Sequence, residues 1–256
     1  MTIVPPSELP DSEPVTRSLA AIAGWIGRYA THVCSDPVGA ARDLRPHLDH
    51  LLAEAGDGDA AFEAQLLASP VLRPVIERRY LPPAYDRDDL AGFAAGTLGR
   101  AYHDFLARWN LSHNYYGAMA TATAPQYLLF RSISYHDYWH VAAGYGADPL
   151  GEIGAVSFTL GNRLTHLGDV APRLSLQVTL TLAGAMARYA LHYPHRLLDW
   201  QRLYVEGMSR GMKARSLDVV SWEEHWQTPL SALREQLGIA PRPRAEDDAA
   251  LGPEPA

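Results

Sequence analysis

Apolar residues recur at helical spacing along most of the chain, and stretches of strictly alternating apolar and polar residues are missing. Residues three or four apart share one face of a helix, so this period predicts amphipathic helices rather than strands. The predicted helices cover residues 15–33, 38–55, 59–68, 96–110, 126–145, 149–165, 173–191, 195–213 and 222–238. Prolines and glycines mark the joints between them. The pattern therefore predicts an all-α fold, a single-domain bundle of packed helices.

The two ends of the chain differ from this helical part. Residues 1–13 are rich in proline and acidic residues, and the sequence PRPRAEDDAALGPEPA at 241–256 has the same character. Such segments bury too little apolar surface to offset the entropy that is lost on ordering. We therefore expect disordered tails at 1–13 and 241–256 on either side of one domain that spans residues 14–240.

The composition narrows the classes of function. The formal net charge of −7, without a long run of Lys or Arg, argues against a nucleic acid partner, because phosphate binding needs a concentrated basic surface. Cys34 is the only cysteine, so neither an internal disulfide nor a cysteine-based metal cluster is expected. No stretch reaches the roughly 18 apolar residues of a membrane span. The first twenty residues also lack the character of a targeting segment.

Four residues that can bind a metal lie close together in the stretch SYHDYWHVAAGYGADPLGE. On a helix, where each residue turns by about 100°, His136 and His140 differ by about 40°, with Asp137 in the same sector. The sequence GYGADP then ends the helix, and Pro149 suits the first turn of the next one. A tight reversal there could bring Glu152 back towards the histidines. Two imidazoles and one or two carboxylates suit Zn²⁺, and also Fe²⁺ or Mn²⁺.

A chance arrangement is the alternative, because histidines four residues apart beside an acid also occur on solvated helices. Here the neighbours are Ile133, Tyr135, Tyr138, Trp139 and Val141, which leave little room for a solvated face. Burying two histidines and two acids without an ion or strong partners would be costly. The pattern is close to the His-Glu-x-x-His signature of zinc proteases, but Asp replaces the Glu that acts as the base there, so peptidase activity is not expected.

The same stretch fits His-Asp-x-x-His, eleven residues and then Glu, and it resembles the hallmark of the ubiquinone (coenzyme Q) biosynthesis protein four family. Three further stretches agree with that family. They are GTLGRAYHDFL at 96–106, GEIGAVSFTLGN at 151–162, and residues 204–239 with Trp-Glu, Pro-Leu and a closing Leu-Gly-Ile. The likeness extends in order over residues 60–240.

This resemblance implies an all-α protein of the quinone pathway that binds a divalent ion, zinc above others, through His136, Asp137, His140 and Glu152. It implies a carbon–carbon lyase that removes the carboxyl group from ring carbon C1 of a polyprenyl-hydroxybenzoate. In an oxidative form of this reaction, a hydroxyl group would replace the carboxyl group at C1. One alternative is a non-catalytic scaffold that binds the lipid and organises the other quinone-biosynthesis enzymes. Another is a homologue that acts on a different isoprenoid.

The resemblance also carries an expectation about localisation. The sequence lacks the mitochondrial targeting segment of the family's eukaryotic members, so we expect a bacterial member. Its expected location is the cytoplasm or the inner face of the cytoplasmic membrane. Peripheral contact with that membrane and a homodimer are compatible with the sequence.

Further side chains near the metal-binding stretch are candidates for contact with a substrate. Tyr135, Tyr138 and His103 are candidates for the acid that delivers the proton replacing CO₂. Arg100 could bind a carboxylate or the anionic end of an isoprenoid, with an ordinary surface arginine as the alternative. Tyr102 lies beside His103 in a second His-Asp pair that lacks a further His at the helical spacing. These five residues are the predicted substrate-binding set.

A polyprenyl tail would need a long apolar channel. The helix predicted at 173–191 is apolar on most faces, and Gly184 and Ala185 could leave room for such a tail. Packing as ordinary core is the alternative for this helix. The segment 16–33 carries one apolar stripe with arginines beside it, and it could contact a membrane or a partner, or pack on the core.

Overall fold

The computed structural model describes residues 29, 31–36, 58–81, 85–113 and 120–242. Within these ranges the chain forms helices and no strand, with one isolated bridge between Thr97 and Pro229. The α-helices are α1 (Gly58–Ala68), α2 (Arg73–Arg78), α3 (Arg87–Leu90), α4 (Leu98–Trp109), α5 (Ala124–Ser134), α6 (His136–Ala143), α7 (Pro149–His166), α8 (Ala171–Leu174), α9 (Leu176–His192), α10 (Leu197–Lys213) and α11 (Leu230–Leu237). Short 3₁₀ helices span Gly168–Val170, Pro194–Arg196 and Trp222–His225. The predicted all-α, single-domain class is confirmed.

The predicted helix boundaries agree with the structure where a helix is long and strongly periodic. The helices predicted at 59–68, 96–110, 149–165 and 195–213 are present within a few residues of those limits. The helix predicted at 126–145 is instead divided into α5 and α6 at Tyr135, which has φ −100° and ψ −1°. Ser175 divides the helix predicted at 173–191 in the same way. At both positions ψ lies near 0°, outside the regular helical range, while the backbone hydrogen bonds on either side keep the four-residue spacing of an α-helix.

The remaining predicted helices were less accurate. The C-terminal one, predicted at 222–238, is a 3₁₀ helix followed by α11. The short helices α2 and α3 were not predicted, because six and four residues are too few to show a helical period. Four predicted segments lie wholly or mostly outside the described residues: 1–13, 15–33, 38–55 and 241–256.

One part of the amphipathic segment 16–33 can be placed. Tyr29 and residues 31–35 are helical, and both Tyr29 and Val33 are buried. The Tyr29 hydroxyl lies 3.0 Å from the Thr181 hydroxyl of α9. This end of the segment therefore packs on the core.

Helices α7 and α10 form the centre of the bundle, and α9 packs against both. Glycines allow the backbones of α7 and α10 to approach closely. A Cβ atom on Gly207 would collide with the Gly154 carbonyl, and one on Gly211 would collide with the Phe158 carbonyl. On α9, Gly184 and Ala185 are buried, so this face contributes to the core.

Helix α6 is held between α4, α5 and α7, which positions the metal-binding stretch. Tyr138, Trp139 and Val141 are buried in the main core and anchor α6 from its inner side. A smaller apolar cluster packs α1 and α2 against the start of α5, around Leu66 and Leu72. In the described part of the chain, no helix has both the length and the apolar character needed to cross a membrane.

Candidate metal centre

His136 and His140 face the same side of α6 because they are four residues apart on a regular helix. The helix ends at Gly144, whose φ of 80° lies in the left-handed region and whose N–H donates to the His140 carbonyl at 2.8 Å. A glycine at this position is a common way to end a helix, since other residues are strained there. The two imidazoles therefore lie one turn apart, just before the chain reverses.

Glu152 returns to the histidines because the next helix begins almost at once. The Asp148 side chain accepts a hydrogen bond from the Gly151 N–H at 3.0 Å and caps α7, with Pro149 as its first residue. Gly151 lies against the Gly146 backbone so closely that a Cβ atom would not fit. The reversal is therefore tight, and it places Glu152 in the first turn of α7, opposite α6.

Three of the four predicted ligands converge. His136 Nε2 lies 3.0 Å from His140 Nε2 and 3.2 Å from Glu152 Oε2. His140 Nε2 lies 3.4 Å from Glu152 Oε1. Ligand atoms about 2.0–2.2 Å from a tetrahedral zinc ion would be roughly 3.3–3.6 Å from each other. The separations in this cluster are close to those values.

The hydrogen bonding of His140 suits a metal ligand. Its Nδ1 lies 2.9 Å from the Gly146 carbonyl, which can only accept, so Nδ1 carries the proton. In the neutral ring, Nε2 then presents its lone pair towards His136 and Glu152. A backbone carbonyl that fixes the second nitrogen of a histidine is typical of metal sites. The residues present therefore fit a divalent ion.

Glu152 and His140 shift each other's pKa in opposite directions. Burial alone would raise the pKa of Glu152, but His140 and His136 outweigh it and hold this pKa far below its usual range. Burial alone would lower the pKa of His140, but Glu152, Asp137 and the Gly146 carbonyl outweigh it and raise this pKa. A carboxylate beside two imidazoles is thus stabilised in its charged form, which is the form that binds a cation.

Asp137 is not part of the converging group, which consists of His136, His140 and Glu152. It lies close enough to feel their charges, although burial dominates and raises the pKa of its carboxyl group. The cluster is open on one side: the side chains of His136 and Glu152 are 32% and 40% exposed, whereas that of His140 is fully buried. Three protein ligands with solvent access on one side are typical of catalytic rather than structural zinc sites.

Two predicted substrate-binding residues of the α6 region make hydrogen bonds to another acid. The Tyr135 hydroxyl donates to Glu223 at 3.1 Å, and the Tyr138 hydroxyl donates to the same carboxyl group at 3.5 Å. Burial raises the pKa of Glu223. Tyr102 is also buried and stacks on Tyr138, with ring centroids 4.3 Å apart, while its hydroxyl lies 3.0 Å from His113 Nδ1.

The other two predicted residues interact with one acid on α4. Arg100 Nε and His103 Nδ1 both lie 2.9 Å from Asp104 Oδ1, and the arginine side chain is 41% exposed. This matches the surface arginine that was the alternative for Arg100. The structure therefore brings none of the five substrate-binding candidates into the three-ligand cluster, and their role stays a prediction.

Two contributors to the site were not predicted. Gly146 orients His140 through its carbonyl oxygen, and Phe105 packs against the His140 imidazole with centroids 5.5 Å apart. A backbone carbonyl has no signature in the sequence. The aromatic residue comes from α4, and only the packing of α4 on α6 reveals its contact.

Fold and site together define a helical protein with a candidate divalent-metal centre between two consecutive helices. The sequence profile described as Coenzyme Q (ubiquinone) biosynthesis protein Coq4 matches residues 62–243. This match covers most of the chain, and the chain belongs to the Coq4 family. The resemblance of the metal-binding stretch to the hallmark of this family had predicted this membership.

Curated relatives agree with the family match. Ubiquinone biosynthesis protein COQ4, mitochondrial, of Coprinopsis cinerea is 28% identical over 201 residues, which cover 75% of this chain and 63% of that protein. Ubiquinone biosynthesis protein coq-4, mitochondrial, of Caenorhabditis elegans is 24% identical over 234 residues, covering 89% and 92%. The chain thus spans less than two thirds of the length of the Coprinopsis protein.

A solved structure shares the fold. The crystal structure of a candidate ubiquinone biosynthesis protein from Nostoc punctiforme PCC 73102 superposes with a TM-score of 0.66 at 22% identity. The superposition covers 89% of this chain and 99% of that one.

The expected cytoplasmic localisation is contradicted by the curated relatives, whose names place them in mitochondria. That expectation was based on the composition of the first twenty residues. The composition of one short stretch does not determine the compartment in which a folded domain works.

Proposed function

We propose that this chain is a metal-dependent decarboxylase of ubiquinone biosynthesis that removes the C1 carboxyl group of a polyprenyl-hydroxybenzoate. The observation that carries the proposal is the convergence of His136, His140 and Glu152, with one side of the cluster open to solvent. Membership of the Coq4 family supports the pathway. Zn²⁺ is the ion that this donor set suits best, with Fe²⁺ and Mn²⁺ as alternatives.

In this reaction the bond between ring carbon C1 and the carboxyl carbon breaks, CO₂ leaves, and a proton takes its place on the ring. A bound divalent ion would supply Lewis-acid stabilisation of the negative charge that develops on the substrate. His136, His140 and Glu152 would hold the ion, and Gly146 keeps His140 in the required tautomer. Phe105 and Trp139 flank the two imidazoles and keep water from the inner side of the cluster.

The reaction can be followed directly. Purified protein loaded with zinc is incubated with a short-tail polyprenyl-hydroxybenzoate, and the ring product is identified by mass spectrometry. We expect a product lighter by one CO₂. A product with hydroxyl in place of carboxyl would instead assign the coupled hydroxylation. Substrate that binds and is recovered unchanged would contradict the decarboxylase.

The H140A variant tests the role of the cluster. Because His140 is fully buried and contributes one of the converging nitrogens, we expect loss of bound metal and of turnover. Metal content is measured by mass spectrometry of the purified protein, beside the activity assay. The matched control is H195A, which removes an exposed histidine and should change neither quantity. Full turnover by metal-free H140A protein would refute the proposal.

A non-catalytic scaffold is the second candidate, and the surface of α10 favours it. Leu198, Val205 and Met212 are 77%, 63% and 54% exposed, and their spacing of seven residues places them along one face. A row of exposed apolar side chains is typical of a contact surface for a protein or a membrane. Recovery of unchanged bound substrate in the assay would support this role, with other quinone-biosynthesis enzymes as partners.

A further inference from the structure

A cleft of about 250 Å³ lies between α2, α5 and the segment that follows α10, and it shares no residue with the metal centre. Its walls include the side chains of Val71, Pro74, Val75 and Val219. Its polar groups come from two arginines, two tyrosines and a serine. The volume is just below the roughly 300–1,000 Å³ of sites for drug-sized ligands, so the cleft suits a smaller molecule.

A buried cation forms part of the cleft lining. Arg131 is 3% exposed, and its Nη2 donates to the carbonyls of Asp218 at 3.0 Å and Val220 at 2.9 Å. Its Nε is buried and has no hydrogen-bond partner among the described residues. Its Nη1 lies 3.5 Å from the Tyr127 hydroxyl, and its charge lowers the pKa of Glu223, an effect that burial of that carboxyl group outweighs. The guanidinium also lies 4.7 Å from the ring centre of Tyr135.

A second arginine, Arg78, also belongs to the cleft lining. Arg78 Nη1 lies 3.5 Å from the Ser221 hydroxyl, and the guanidinium lies 5.3 Å from the ring centre of Tyr80. Arg78 also pairs with Glu224, and the side chains of this pair are 54% and 46% exposed. Because exposed ion pairs contribute little, Arg78 can exchange this partner for a ligand at small cost.

These groups together select the chemistry of a ligand. The guanidinium and hydroxyl groups of the lining suit a carboxylate or phosphate, since charge-assisted hydrogen bonds from arginine are strong and directional. The valines and Pro74 suit a short apolar body. We propose that this cleft is a second ligand site, which takes a small organic carboxylate or phosphate monoester and lies outside the metal centre. The proposal goes beyond the decarboxylation, because it assigns a function to a surface with no metal ligand.

Isothermal titration with benzoate tests the site, with benzamide as its neutral counterpart of nearly equal shape. We expect benzoate to bind with one-to-one stoichiometry and benzamide not to bind. The R78Q variant should weaken benzoate binding roughly tenfold, because one charge-assisted contact is lost. V219W should abolish binding by filling part of the cleft, with both arginines intact. The matched control is R87Q, which removes an exposed arginine outside the cleft and should leave the affinity unchanged.

Phenyl phosphate and vesicles containing phosphatidic acid distinguish a soluble ligand from a lipid headgroup. We expect phenyl phosphate to compete with benzoate in solution. The proposal would be overturned if benzamide bound as tightly as benzoate, or if neither anion bound at millimolar concentration. Unchanged benzoate affinity in both R78Q and V219W would also overturn it. Retention on the vesicles that R78Q abolishes, without binding of either soluble anion, would assign the cleft to a membrane lipid instead.

Discussion

At the scale of single residues, His113 shows how burial changes the chemistry of one side chain. Its Nδ1 lies 2.9 Å from the Tyr85 hydroxyl and 3.0 Å from the Tyr102 hydroxyl, and its ring stacks on Tyr85. Burial lowers the pKa of His113 to about 4. The imidazole is therefore neutral in the folded protein, where its ring nitrogen can accept a hydrogen bond.

This pKa predicts a pH dependence of stability. An unfolded histidine gains its proton near pH 6.5, but folded His113 gains it only near its pKa of about 4. The stabilisation is therefore complete above pH 6.5 and is lost as the pH falls towards 4. We expect a loss of about 3 kcal/mol in the free energy of unfolding across this range. Urea unfolding at a series of pH values measures it.

The variant H113Q should make the free energy of unfolding less dependent on pH than it is in the wild type. The control H195Q changes an exposed histidine and should keep the wild-type slope. If the free energy of unfolding changed with pH equally in H113Q and the wild type, His113 would not be the group that causes the pH dependence.

At the scale of elements, the contact between α7 and α10 depends on residues without side chains. Gly161 lies against the Met208 backbone, and Gly211 lies against the Phe158 carbonyl, so that any Cβ at these positions would overlap the facing helix. Close backbone contact lets the side chains around it interlock at the density of a protein interior. The packing of α7 against α10 therefore depends on glycines at the points where the two backbones meet.

The variant G211A tests this contact. The added methyl group would push α10 away from α7, and overpacking of this kind costs about 1–3 kcal/mol. The control G92A adds the same group where no described residue beyond its two chain neighbours lies within 4 Å of the new Cβ, and it should change stability by less than about 0.5 kcal/mol. Denaturant unfolding compares the two variants. Equal free energies of unfolding for G211A and the wild type would contradict the importance of this close contact.

At the scale of the whole molecule, α7 ties distant parts of the chain together through two polar side chains. Buried Arg163 forms an ion pair with Asp218 at 2.9 Å and donates to Ser132 of α5 at 2.9 Å. Asn162 accepts from the Leu217 N–H at 3.0 Å and donates to the Arg215 carbonyl at 2.9 Å. The segment after α10, which also lines the cleft beside Arg131, is therefore held in place by hydrogen bonds and an ion pair from α7.

The variant N162A should destabilise the protein by about 2–3 kcal/mol, because it leaves buried backbone groups without partners. Thermal unfolding by circular dichroism gives the comparison. T165A is the matched control on the same helix, since Thr165 is an exposed residue whose hydroxyl, among the described residues, donates only to the Gly161 carbonyl of its own helix at 2.9 Å. A melting temperature of N162A equal to that of T165A would contradict the bridging role of Asn162.

Local patterns in the sequence were enough for much of the fold. The helical class, the long helices, the start of α7 at Pro149 and the shared face of His136 and His140 depend on residues within a few positions of each other. The family motif was likewise a local pattern, and it correctly predicted membership of the Coq4 family.

Which of these residues come into contact depends on the folded arrangement of the helices. It brought Glu152 to the histidines without Asp137, turned Tyr135 and Tyr138 towards Glu223, and placed Arg131 in the lining of a cleft. The contacts with Glu223 and the cleft lining join residues far apart in the chain, whose geometry is set by how helices pack. A helical period determines the face on which a side chain lies, and the packing of whole helices determines what that face contacts.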